Sequence, residues 1–208
     1  MIESIENGIQ LVTTAVSTAL SVGRAVRSGK RVWLLLALAS GVYFLGDLYW
    51  QLFLIFYGET PDYSFIPYLG WYAGYVFLLL LLLEVRGPRP AVPRSRLLWL
   101  FPVFTIGMGV FYLQWGDWIS NITAAVLMSL LLWHTTDCVL LWRRDPPEMG
   151  KRCVADGIIL FCAAEYAAWT SSCFWMGDTL KNPYFWFDTL LSICFLLFPW
   201  ALRKAEEQ

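Results

Sequence analysis

The sequence predicts an all-α integral membrane protein, a bundle of about seven transmembrane helices, and three observations carry that expectation. The chain of 208 residues is 58% hydrophobic and 15% charged, which is more apolar surface than a domain of this size can hide from water. Apolar runs close to the ~20 residues that cross a bilayer recur along it. Fourteen of the fifteen Lys and Arg residues lie in four short clusters between those runs. The clusters are Arg24, Arg27, Lys30 and Arg31; Arg86, Arg89, Arg94 and Arg96; Arg143, Arg144, Lys151 and Arg152; and Arg203 with Lys204, with Lys181 apart.

The first segment, residues 5–22, is amphipathic: Ile5, Ile9, Val12, Val16 and Leu20 form a helical stripe, while Glu6, Gln10, Thr13, Thr14, Ser17 and Ser21 occupy other faces. It reads as a span if the polar face is buried against other helices, and as an interfacial helix otherwise. Six clearer spans follow at 32–57, 65–85, 97–115, 118–142, 153–176 and 184–202. Seven crossings put all four basic clusters on one side and the acidic links on the other, so the N-terminus is expected outside and the C-terminus in the cytoplasm. Trp33, Trp99, Trp115, Trp118, Trp142, Trp175, Trp186 and Trp200 sit near span ends, the usual depth of membrane-anchoring rings. The links are short and rich in turn residues, so residues 1–208 form a single membrane domain.

Composition also excludes function classes. A net charge of −1 with basic residues dispersed among loops gives no electrostatic footprint for nucleic acid. The five cysteines are odd in number and mostly within apolar runs, with no C-x-x-C spacing, and the chain has a single histidine. Neither a disulfide framework nor a metal site is expected, and no cofactor is implied. Acids at Glu3 and Glu6 argue against a cleaved signal peptide. The last span has no lysine for a retinal Schiff base, and the chain carries no G-x-S-x-G, H-E-x-x-H or phosphate-loop motif.

Chemistry is expected at the acids left inside apolar segments. At about 1.5 Å per residue, Asp47 lies about 15 Å from the outer end of its span, Glu165 near the midplane and Asp188 about 8 Å below the outer surface. Tyr43, Trp50 and Gln51 share a helical face with Asp47, as Cys162, Trp169 and Ser172 do with Glu165. With no Lys or Arg at comparable depth, the acids are protonated and hydrogen-bonded, or line a wet pocket for a small amine, cation, proton or lipid headgroup, or work as an acid/base pair. Three acids on three spans favour a shared outward pocket of Asp47, Glu165, Asp188, Tyr43, Trp50, Gln51 and Trp169. His134 and Asp137, at i and i+3, form a second, thinner site for proton transfer or pH response, with a structural pair as the alternative. Asp156 and Glu84 lie beside basic span ends and are expected to pair with neighbouring arginines or to reach the interface. Gly70 and Gly74 make a G-x-x-x-G, and Ala163/Ala167 with Ala164/Ala168 a small-residue face, for close helix contact within the bundle or between subunits.

From Leu45-Gly46-Asp47-Leu48-Tyr49-Trp50 through Tyr57-Gly58-Glu59-Thr60-Pro61-Asp62-Tyr63-Ser64 to Tyr68-Leu69-Gly70-Trp71-Tyr72, the sequence resembles the multi-helix bacterial membrane modules that precede diguanylate cyclase, PAS or histidine kinase domains. Where such modules carry an acid after the loop serine, this chain has Phe65, Ile66 and Pro67. The resemblance implies a sensor in a bacterial plasma membrane that signals to a cytoplasmic protein. The Gly-Asp pair in an early span, with acids in later ones, also resembles the lysoplasmalogenase-like lipid hydrolases, whose histidine-bearing spans are not matched. That resemblance implies Asp47 with Glu165 or Asp188 as acid and base on a lipid ether-enol. The expectation is therefore a sensing or partner-binding module, with the hydrolase second and an accessory subunit of a larger membrane complex third.

Overall fold

The computed structural model describes residues 2–59, 61, 65–88, 95–143, 146–147, 149–177 and 179–207. Thr60, Asp62, Tyr63 and Ser64 of the loop motif, and Arg89, Arg94 and Arg144 of the basic clusters, lie outside the described residues. The described elements are all helical: α1 (Ile2–Ser28), α2 (Arg31–Tyr57), α3 (Phe65–Arg86), a 3-10 turn (Arg96–Trp99) leading into α4 (Leu100–Tyr112), α5 (Trp118–Trp142), α6 (Met149–Phe174) and α7 (Pro183–Glu206). Six helices are long and apolar enough to cross a membrane, the make-up of a multi-pass membrane protein.

The helices form a ring. α1 packs on α2, α2 on α3, α3 on α5, α5 on α6, α6 on α7, and α7 returns to α1. α4 stands outside the ring against α5 and reaches α6 through Tyr112, whose hydroxyl donates to the Tyr166 carbonyl at 3.2 Å. Inside, Tyr75, Leu78, Leu81, Met128, Leu131, Phe161, Phe195 and Phe198 are buried and fill the space between α3, α5, α6 and α7.

Local chemistry explains the boundaries. The α1–α2 turn pivots on Gly29 at φ 65°, a left-handed conformation that glycine adopts without steric cost. Asp117 caps α5 by accepting the Ser120 N–H at 2.7 Å, and this bond holds its carboxyl below the usual range. Asn121 Nδ2 donates to the carbonyls of Tyr112 and Trp115 at 2.8 Å each, satisfying backbone groups left open where α4 ends. The fourth segment is therefore shorter than the expected 97–115: helical structure covers Arg96–Tyr112, and residues 113–117 form the turn.

α1 is amphipathic inside-out. Glu6, Gln10, Thr14, Ser17 and Ser21 are buried, whereas Ile5, Val12, Val16 and Leu20 are exposed. The polar stripe faces protein: Thr18 Oγ1 donates to Ser40 Oγ at 3.1 Å, and Thr14 Oγ1 lies 3.4 Å from Asp47 Oδ2. Such a helix suits lipid on its apolar side. A photoreactive diazirine residue at Val12 or Leu20 is expected to insert into acyl chains on illumination, and one at Ser17 into the protein itself. Mass spectrometry of the adducts reads the difference, and equal lipid labelling at all three would remove the assignment.

Small residues set the closest helix contacts. A Cβ at Gly70 would sit 2.6 Å from the Val42 carbonyl oxygen and 3.3 Å from Gly46 Cα, and one at Gly74 would sit 2.8 Å from Tyr43 Cδ2. The G-x-x-x-G of α3 thus packs on α2 of the same chain. Ala164 and Ala168 are buried within the bundle, while Ala163 is exposed. Two tryptophans depart from the anchoring expectation. Trp142 is buried, and Trp33 is only 1% exposed and donates its ring N–H to Glu206 Oε1 at 2.7 Å, tying α2 to the end of α7.

Candidate functional site: an acidic, aromatic cavity at one end of the ring

The starts of α1, α3 and α7 and the ends of α2 and α6 meet at one end of the ring, opposite the described basic clusters. The close α2–α3 seam at Gly46 and Gly70 brings Trp71 over Asp47, and its Nε1 donates to Asp47 Oδ1 at 2.9 Å. Asp47 is 3% exposed, and its second oxygen faces Thr14 of α1. Glu165, on α6, is buried to the same degree and accepts the hydroxyl of Tyr43 through Oε1, with Tyr75 as a further hydrogen-bond donor. Asp188, on α7, is 4% exposed and is hydrogen-bonded by Gln10, while its Oδ2 is buried with no partner among the described residues.

Two adjoining cavities open between these groups. The outer one, about 400 Å³, includes Glu6, Asn7, Gln10, Asp47 and Trp50 in its wall, with Thr179 and Asn182 from the α6–α7 link. The inner one, about 60 Å³, is lined by Tyr43, Tyr72, Tyr75, Glu165, Ala168, Asp188 and Leu191 among others. Gln10, Tyr68, Trp71, Trp169 and Tyr184 belong to both walls and form the neck between them. Among the described residues, no Lys or Arg lines either cavity. Asp188 lies within electrostatic reach of Asp47, Glu6 and Glu165, so four acids address one space.

The structure thus gathers Asp47, Glu165, Asp188, Tyr43, Trp50 and Trp169. Gln51 is not among them: one turn beyond Asp47 but about 40° further round the helix, it lines neither cavity. Sequence reasoning missed Glu6 and Gln10. Their spacing with Thr14 at i, i+4 and i+8 was the available signal, because a polar stripe on a spanning helix must face protein.

His134 and Asp137 lie on α5, away from both cavities. Asp137 Oδ2 is 3.7 Å from Arg86 Nη1, an ion pair between α5 and α3 with side chains only 6% and 13% exposed. The sequence places His134 beside Asp137 but gives no sign of Arg86, which closes a span in a basic cluster. At the same end Glu84 pairs with Arg31 at 3.8 Å and Asp156 with Arg152 at 3.7 Å. Among the described residues, no three His, Cys, Asp or Glu side chains are placed to hold a metal ion.

Fold and site together define a helical multi-pass membrane protein with an acid-lined aromatic cavity at one end of its ring. No protein-family model, curated protein or solved structure matches the chain. Its function is therefore argued from its own chemistry.

Proposed function

We propose that this protein is a membrane-embedded sensing module whose outward-facing pocket binds a small organic cation. The observation that carries the proposal is the joining of Asp47, Glu165 and Asp188 around cavities that no Lys or Arg among the described residues lines. Carboxylates in a low-dielectric wall attract cations, and the faces of Trp71, Trp169 and Tyr184 add cation–π attraction. The basic residues at the opposite end support a cytoplasmic placement of that end, which turns the pocket outward. The inside-out amphipathicity of α1 supports a span there. Arg96–Tyr112, 17 residues with an exposed apolar side, supports a short seventh crossing. Seven crossings place the N-terminus outside and the C-terminus in the cytoplasm.

α1 and α7 contribute walls to the pocket and run on to the far end, where Glu206 of α7 holds Lys30, in the link that follows α1, at 3.1 Å and the Trp33 ring of α2. Occupancy that changes their packing outside is passed along two continuous helices to a cytoplasmic partner. In this reading the membrane is a bacterial plasma membrane.

Asp47→Asn keeps the shape of the side chain and removes its charge. It is expected to weaken binding of a primary amine about tenfold to a hundredfold, the worth of a charge-assisted hydrogen bond of about 1.5–3 kcal/mol, with melting changed by only a few degrees. Calorimetric titration of purified protein, beside mass spectrometry of retained small molecules, tests this. Unchanged affinity would remove Asp47 from the pocket. Turnover of a lipid ether-enol that Asp47→Asn abolishes would move the assignment to the hydrolase, and a chain stable only with other membrane subunits would make it an accessory protein.

A further inference from the structure

The four acids are distributed in a way that a point charge does not satisfy. Glu6 and Asp47 line the outer cavity and Glu165 and Asp188 the inner one, with an aromatic neck between the pairs. All lie within electrostatic reach of Asp188, yet among the described residues no three are placed to ligate one ion. A metal ion gathers oxygens into one shell. These acids instead offer negative charge at two separated stations.

The inner station is small and incompletely satisfied. At about 60 Å³ beside about 400 Å³ for the outer cavity, it suits the slender end of an ammonium-terminated chain better than a bulky quaternary head. Asp188 Oδ2, buried and without a hydrogen-bond partner among the described residues, lines this space. A primary ammonium brings three donors and satisfies that oxygen. The roomier outer cavity then receives whatever is attached.

Resting on the reading of the pocket as a cation site, we infer that its ligand is a linear aliphatic α,ω-diamine. One ammonium sits at Asp188 and Glu165, the methylene chain passes between Trp71, Trp169 and Tyr184, and the second ammonium sits at Asp47 and Glu6. Aromatic faces suit both parts, packing on methylenes and attracting the charged ends. A monoamine reaches only one of the two stations, and the smaller inner cavity favours an unbranched chain end over a branched or quaternary one.

The test is calorimetric titration of the purified full-length chain with linear diamines of three to eight carbons, with monoamines of equal length, and with potassium and magnesium chloride. One diamine length is expected to bind at least tenfold more tightly than the matching monoamine, and Asp188→Asn to erase that advantage. Diamines that bind no better than monoamines would overturn this inference and leave the cation pocket standing. An inorganic cation that binds and displaces the amine would overturn it as well, while no amine binding by a well-folded sample would overturn both. The wild-type length series decides even if Asp188→Asn fails to fold.

Discussion

Gly70→Ala, a single added methyl, is expected to destabilise the bundle by about 2–3 kcal/mol, near the top of the range for overpacked sites. The new carbon would lie 2.6 Å from a backbone oxygen, that of Val42, and 3.3 Å from the backbone of Gly46. Neither neighbour is a side chain that can rotate away, so α2 and α3 must separate. Separation strains the same seam that sets Trp71 against Asp47, so the variant is also expected to lose amine binding. Gly107→Ala is the matched control, because a Cβ there meets nothing within 4 Å. In a helix interior that change is favourable by roughly 0.5–1 kcal/mol. Equilibrium unfolding of both proteins in the same detergent gives the comparison, and shifts of the same sign and size would show that the glycine seam does not hold α2 to α3.

Much of the helical framework is legible in the sequence, because a residue inside hydrocarbon obeys few and strong rules. The expected 118–142 matches α5 (Trp118–Trp142), and the expected 65–85 ends one residue short of α3 (Phe65–Arg86). Those segments are bounded by charge, proline or glycine, where lipid and backbone agree on the end. The fourth segment was overestimated because Leu113 and Trp115 are as apolar as the helix they follow, and only the hydrogen bonds of Asn121 show where that helix stops. The acids were legible for the opposite reason: a carboxylate in a long apolar run stands out. Their partners were not. Tyr75 and Trp71 on α3 look like ordinary core or anchoring aromatics until α2 is laid beside them, and Gln10 acquires a role only when α1 is set against α7. The glycines of α3 were readable as a close contact but carry no label for the partner, which the backbone of α2 supplies.

Arg86→Met is expected to cost about 3 kcal/mol, the lower end of what removing one member of a buried ion pair costs. The guanidinium closes α3, where the exposed carbonyl end of the helix favours a cation, and it faces Asp137 across the α3–α5 contact at 3.7 Å. That separation is longer than a direct hydrogen bond, which is why the lower end applies. Met keeps much of the length and packing of the side chain, so the loss reports on the guanidinium charge facing Asp137. Adding Asp137→Leu completes a double-variant cycle, in which the two losses are expected to be less than additive because the residues are in contact. Arg31→Met supplies the contrast. Its pairing with Glu84 has a similar 3.8 Å separation, but the side chains are 68% and 40% exposed, and exposed pairs contribute about 0–1 kcal/mol. Equilibrium unfolding of the three variants in one detergent separates burial from distance as the cause. If Arg86→Met costs no more than Arg31→Met, other contacts hold Asp137, and the α3–α5 junction is maintained by packing of Leu78, Leu81 and Leu131 without help from the ion pair.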